Sequence, residues 1–232
     1  MAQSLLKVPT PLDWSERELH AWLVRGVFAL GVVTFVVTSV IKAPYGRHAR
    51  PGWGPTINTR LGWVLMELPS ALCKDKRMPL TVMLSGDFYN VINAYVNARY
   101  LSQFGDYESD LPFARPSFYI GGVMFIVGFV INIHSDQVVI NLRKPGDTGY
   151  AIPHGGMFEY VSAPNYFGEI LEWCGWSVLS GSPAGWSFAF YSATNLVPRA
   201  ISNHQWYLDK FKETYPKSRK AVIPGICHRL YV

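Results

Sequence analysis

The chain has 232 residues, one domain's worth, with 49% hydrophobic and 16% charged side chains, against ~25% charged in ordinary soluble domains. Eight Trp and thirteen Tyr supply the amphipathic rings that collect at membrane–water interfaces. A net charge of +5 gathered in a few loops and the C-terminal tail speaks of membrane orientation and an anionic ligand before nucleic acid, and Cys73, Cys174 and Cys227 have neither metal-type nor paired spacing, so neither a metal site nor a disulfide framework is indicated.

Residues 1–20 are polar and amphipathic and predict a surface segment. Asp13, Glu16 and Glu18 precede the first apolar run, at 21–41, which is too long for a cleavable signal core and long enough to span; Arg25 lies near its start. A loop rich in Gly, Pro and base follows, with Lys42, Arg47, His48 and Arg50. The second apolar piece, 61–72, falls short of the ~20 residues a span needs and carries Glu67 at its middle. Glu67 reads as a carboxylate near a helix end facing water, or as a buried acid facing a cavity. Trp63 one turn before it and Pro69 just beyond favour the second.

After a basic turn at 73–78, a third helix at 79–103 carries Asn90, Asn93, Asn97 and Tyr100 at three- and four-residue steps. That stripe serves interhelical hydrogen bonds or a cavity wall. An acidic connector at 105–114 leads to a fourth helix at 117–142, first fully apolar, then polar at Asn132, His134 and Asp136. Arg143 lies two turns beyond Asp136, so Asn132, Asp136 and Arg143 share a face. Asn165 and Glu169, also one turn apart, open the fifth helix at 166–179; SGSPAG makes a tight turn to the sixth at 186–211. There Arg199, Asn203 and Tyr207 recur every four residues, and the tail clusters Lys217, Arg219 and Lys220. Together these segments predict an all-α, multi-pass integral membrane bundle with six apolar segments.

Basic loops mark the cytoplasmic side. The loops at 42–57, 73–78 and 143–160 and the tail at 208–232 are basic, 105–114 is acidic and 180–185 neutral. The later spans alternate without conflict and put the C-terminus in the cytoplasm. The early ones conflict, because 42–57 and 73–78 both want the cytoplasm and one apolar segment separates them. Either 61–72 is re-entrant, or a spanning helix is absent between Cys73 and Lys74.

Three polar faces converge on the cytoplasmic ends of the last three helices: Asn132, Asp136 and Arg143; Asn165 and Glu169; Arg199, Asn203 and Tyr207. An ionisable group at membrane depth costs ~2.5 kcal/mol or more and persists mainly for a function. Arg, amide and carboxylate together suit a ligand with phosphates and hydroxyls. The plainer reading is a set of salt bridges, with Asp136 and Glu169 neutralising Arg143 and Arg199. Neither G-x-G-x-x-G nor G-x-x-x-x-G-K-[ST] occurs, which excludes a soluble-type nucleotide fold.

The stretches NIHSD (132–136), LRKPG (142–146), GYAIPHGGMFEYVSAPNYFGEILEW (149–173), HQWYL (204–208) and YPKSRKAVIP (215–224), with Arg199, resemble the steroid 5α-reductase (3-oxo-5α-steroid 4-dehydrogenase) family, in its bacterial type. YGRH (45–48) and WVLMELPS (63–70) resemble its N-terminal signatures. The resemblance implies one membrane-embedded reductase domain over 1–232, with a substrate side at 1–104 and a cofactor side at 115–232. It implies a monomer using NADPH to reduce the double bond of a 3-oxo-Δ4-steroid or sterol-like lipid, without nucleic acid. Its cofactor positions fall on Tyr45, Arg47, Asn132, Asp136, Arg143, Tyr150, Asn165, Glu169, Arg199, Asn203, Tyr207 and Arg219. Its catalytic glutamate falls on Glu67 and a substrate-cavity aromatic on Trp63.

The chain departs from the family at four places. Met66 stands where many members have Gln, Asn203 where they have His, and Ala151 where they have Arg after the loop tyrosine. The fourth departure is larger: members carry a seventh helix after ELPS, bearing a tyrosine that partners the glutamate, whereas here Cys73 runs directly into KDKRMP. Tyr95 or Tyr100 would then be substitutes, and turnover would be low unless one of them or another donor fills the role. Two rival readings are a membrane methyltransferase of the isoprenylcysteine type, using S-adenosylmethionine, and a catalytically silent protein that binds NADPH or steroid.

Overall fold

The computed structural model describes residues 14–42, 52, 55–58, 77–105, 107, 112–142 and 149–226. Helix α1 (Glu16–Val40) begins at a reciprocal cap. The Ser15 hydroxyl accepts from the Glu18 N–H at 3.3 Å, while Glu18 Oε2 accepts from the Ser15 N–H at 2.8 Å. The helix therefore starts ahead of the expected onset at 21, and the polar residues before it form a capped first turn. Helices α2 (Leu80–Arg99), α3 (Pro116–Asn141), α4 (Pro164–Ser180) and α5 (Pro183–Phe211) follow. Proline opens α3, α4 and α5, at a position whose N–H would have had no helical partner. A π turn, Tyr100–Phe104, extends α2.

Gly181 ends α4 at φ 61°, a left-handed conformation that glycine adopts without strain. Ser182 caps α5 at once, its hydroxyl accepting from the Gly185 N–H at 3.1 Å. The turn expected at 180–185 thus shrinks to Gly181 and Ser182. The described residues are helical, as expected, with one short addition: Thr56–Asn58 (β1) pairs antiparallel with Arg77–Pro79 (β2), Ile57 opposite Met78. The pair sets residues 56–58 beside residues 77–79. The helix expected at 61–72 lies outside the described residues.

Among the described helices, α1 and α3 are long and apolar enough to cross a membrane. Leu30, Val33, Val36, Val37 and Val40 on α1, and Ile120, Val123, Ile126, Phe129, Val130 and Ile133 on α3, are all exposed. Soluble surfaces rarely carry contiguous apolar faces of this extent, and these faces fit a membrane protein.

Packing inside the bundle relies on small residues. Gly121 and Gly128 of α3 meet Gly175 and Gly168 of α4, backbone against backbone. A methyl group on Gly168 would fall 2.6 Å from both the Gly128 carbonyl oxygen and the Asn132 nitrogen. Glycine seams of this kind let membrane helices approach closely where lipid offers no hydrophobic drive. α1 packs on α5 with Gly31 against the side chains of Phe190 and Thr194. The α3–α4 seam has a direct consequence: it brings the polar ends of both helices together.

Candidate functional site

At that end Asn132 Nδ2 donates to the Asn165 carbonyl at 3.2 Å, and Asn165 Nδ2 donates to Asp136 Oδ1 at 3.1 Å. Three predicted residues from two helices thus form one network. Glu169 follows one turn beyond Asn165 on α4. From α5, the Arg199 guanidinium lies over the Tyr166 ring at 5.4 Å, which holds the cation at the α4–α5 junction. Asn203 and Tyr207 continue along α5 from Arg199. Tyr207 is buried and stacks on Tyr215 with centroids 5.2 Å apart and 8° between planes. Tyr150 packs edge-on against Trp206 at 4.8 Å, with the Lys210 ammonium 5.7 Å from its ring centre.

The tail closes this end. Ser162 N–H bonds the Lys220 carbonyl at 2.8 Å, Lys220 N–H bonds the Tyr160 carbonyl at 2.9 Å, and Ala163 N–H bonds the Ala221 carbonyl at 3.1 Å. Arg219 immediately precedes Lys220, which bridges in parallel to Val161, and its side chain is fully enclosed. Its Nη1 donates to the Pro153 carbonyl at 2.9 Å, and its Nη2 lies 3.2 Å from His154 Nδ1 and 3.7 Å from Glu159 Oε2. Arg219 Nε is buried with no partner. The Gly155 N–H donates to Glu159 at 2.6 Å and, with Arg219 and His154, holds that carboxyl below the usual range. Gly156, at φ 53°, lets the loop pass against His134, which a Cβ would meet at 2.6 Å.

Sequence reasoning missed one group. Ser162 Oγ lies 2.5 Å from His204 Nδ1 and 2.7 Å from the Tyr215 hydroxyl. Burial raises the Tyr215 phenol, while the bonds to Ser162 and Arg219 work against that rise. Its members lie 42 and 53 residues from Ser162 along the chain, so no local spacing betrays them. On α2, Asn97 Nδ2 bonds Asn93 Oδ1 of its own helix at 2.9 Å. Tyr95 bonds Arg99, which in turn pairs with Glu16, and Tyr100 stacks near His20; both therefore stand at the α1–α2 junction. Tyr45, Arg47, Trp63, Glu67 and Arg143 lie outside the described residues.

A family model described as 3-oxo-5-alpha-steroid 4-dehydrogenase matches residues 76–227. The chain belongs to this family. It is 36% identical to a steroid 5-alpha-reductase of Gossypium hirsutum over 256 residues, covering 91% of this chain and 99% of the relative. It is 38% identical to the 3-oxo-5-alpha-steroid 4-dehydrogenase 1 of Bos taurus, covering 92% and 99%, and 38% identical to that of Homo sapiens, covering 90% and 96%. The family match takes in the network, Arg199, the tail bridge and Arg219, whereas Tyr45, Arg47, Trp63 and Glu67 precede it. The alignment with the Gossypium hirsutum protein runs longer than this chain's 232 residues, so the relative has residues without counterpart here.

Proposed function

We propose that this 3-oxo-5-alpha-steroid 4-dehydrogenase family member reduces the Δ4 double bond of a 3-oxo-steroid to the 5α product, with NADPH as reductant. The observation that carries the reading is the junction of Asn132, Asp136 and Asn165 with Arg199 and Tyr166, within the region that matches the family. The donor set suits a dinucleotide. Amides and carboxylates on α3 and α4 accept from and donate to ribose hydroxyls and a carboxamide. Arg199, Asn203 and Tyr207 on α5, with Tyr150, suit phosphates and rings, and the resemblance adds Arg143, Tyr45 and Arg47 to that set. The orphaned Arg219 Nε is a further donor at the same end.

When bound, NADPH supplies the hydride that reaches carbon 5 of the enone, and a proton added at carbon 4 completes the saturated ketone. The protein's part is to polarise the carbonyl while charge builds on its oxygen. Glu67 takes that role if its site keeps it protonated, and Trp63 walls the steroid. The N-terminal helices form the substrate side and the C-terminal helices the cofactor side, with the latter and the C-terminus in the cytoplasm. Neighbouring β1 and β2 support putting both early basic loops on that side as well.

The reading is tested on the purified chain in lipid vesicles by following NADPH absorbance. NADPH is expected to be consumed only when a 3-oxo-Δ4-steroid is added, with a 5α-reduced product. Binding of S-adenosylmethionine without NADPH binding would favour the methyltransferase reading, and nucleotide binding without turnover the silent one.

A further inference from the structure

Ser162 is 5% exposed, so its hydroxyl must find partners inside the protein. It finds two, on segments far off in the chain: His204 Nδ1 of α5 at 2.5 Å and the Tyr215 hydroxyl of the tail at 2.7 Å. A further bond joins Tyr215 to Arg219. The direction of this series follows from its end. A guanidinium only donates, so the Tyr215 oxygen accepts from Arg219 and its proton goes to Ser162. The Ser162 proton then goes to His204 Nδ1. Each hydroxyl gives one bond and takes one, which leaves neither of them unsatisfied.

What the series holds is the end of α5. Tyr215 is 2% exposed, and its ring lies parallel to Tyr207, 5.2 Å between centroids, and edge-on to His204 at 6.0 Å. His204 and Tyr207 stand three residues apart on α5, with Asn203 one turn before Tyr207. The stretch that carries two candidate cofactor residues is therefore gripped at His204 by Ser162 and at Tyr207 by Tyr215. Between α5 and Tyr215 the chain reverses at Lys212, whose φ of 46° is a conformation that favours glycine. Such a turn persists where its surroundings hold it. Here the stack on Tyr207 and the bond to Ser162 do so.

Alanine at 162 would occupy the same place without burying a polar group, so what the hydroxyl contributes is the link. We propose that Ser162 is a positioning residue for the nucleotide. By binding His204 and Tyr215 together it fixes the end of α5 against the tail, and so sets the orientation in which Asn203 and Tyr207 meet the cofactor. Ser162 acts through those residues and makes no contact of its own with nucleotide or steroid. The assignment rests on the reductase reading with NADPH as reductant.

The test uses the full chain in lipid nanodiscs and compares wild type with Ser162→Ala, Tyr215→Phe and the two combined. NADPH affinity is followed by tryptophan fluorescence, with kcat, the KM of a 3-oxo-Δ4-steroid and the melting temperature measured beside it. Ser162→Ala is expected to weaken NADPH about tenfold, and Tyr215→Phe, which leaves Ser162 on His204, about threefold. The double variant should weaken it no further than Ser162→Ala alone, because both changes break one link. With NADPH saturating, kcat and the steroid KM should stay within about twofold of wild type. Wild-type NADPH affinity in Ser162→Ala would overturn the assignment, as would additive losses in the double variant. A parallel fall in kcat and in both affinities with a lowered melting temperature would also overturn it, since that marks a merely structural serine. Tyr215→Phe keeps the ring and its stack, so its NADPH affinity decides the matter if Ser162→Ala does not fold. A wild-type chain that bound no NADPH would bring down the cofactor reading itself, and the assignment with it.

Discussion

Arg219 stands in a tail rich in positive charge, and the family resemblance assigns it to the cofactor. Its guanidinium is enclosed, donating to the Pro153 carbonyl and lying beside Glu159, and so fastens the tail to the 153–159 loop. Arg219→Ala removes a charge-assisted bond worth roughly 1.5–3 kcal/mol. It is expected to loosen that wall and weaken NADPH and NADH by similar factors in a fluorescence titration. A loss confined to NADPH would instead show that Arg219 grips the extra phosphate. The sequence singled out Arg219 without showing its partners, because burial depends on contacts that a linear reading does not place. The Ser162, His204 and Tyr215 group was hidden for the same reason.

Among the elements, the α3–α4 seam sets the site's geometry. Gly168→Ala would set a methyl 2.6 Å from the α3 backbone at Gly128 and Asn132 and force the helices apart, an overpacking that costs about 1–3 kcal/mol. The separation should break the Asn132–Asn165–Asp136 network, lowering the melting temperature and weakening NADPH at least tenfold. Gly122→Ala is the control, since its Cβ would touch only Leu179 Cδ1 at 3.8 Å, and it should behave as wild type. Equal behaviour of the two variants would mean the seam does not position the site. Helices at 79–103 and 117–142 were legible from their apolar pattern, and so were the polar faces of the last three. The glycines were visible at seven-residue intervals, but their importance appears only once the facing helix is known. Helix starts were missed at α1, α4 and α5 because Ser15, Pro164 and Pro183 set them by capping and proline geometry, ahead of the apolar runs.

At the scale of the molecule, the proposed topology puts both early basic loops on the cytoplasmic side, a reading that the pairing of β1 with β2 supports. Accessibility tags in the 143–160 loop and at the C-terminus should report cytoplasm, and one in 106–112 the far side; a cytoplasmic 106–112 tag would break the arrangement. The alignment with the Gossypium hirsutum relative runs longer than this chain, so that relative has residues without counterpart here. The family membership predicts that the chain turns over. The direct test supplies NADPH deuterated at the transferring position and a 3-oxo-Δ4-steroid, and locates the label in the product by NMR. One deuterium at carbon 5 of a 5α-ketone is the expected result; an unreduced steroid, or a reduced one without label at carbon 5, would contradict hydride transfer by this protein.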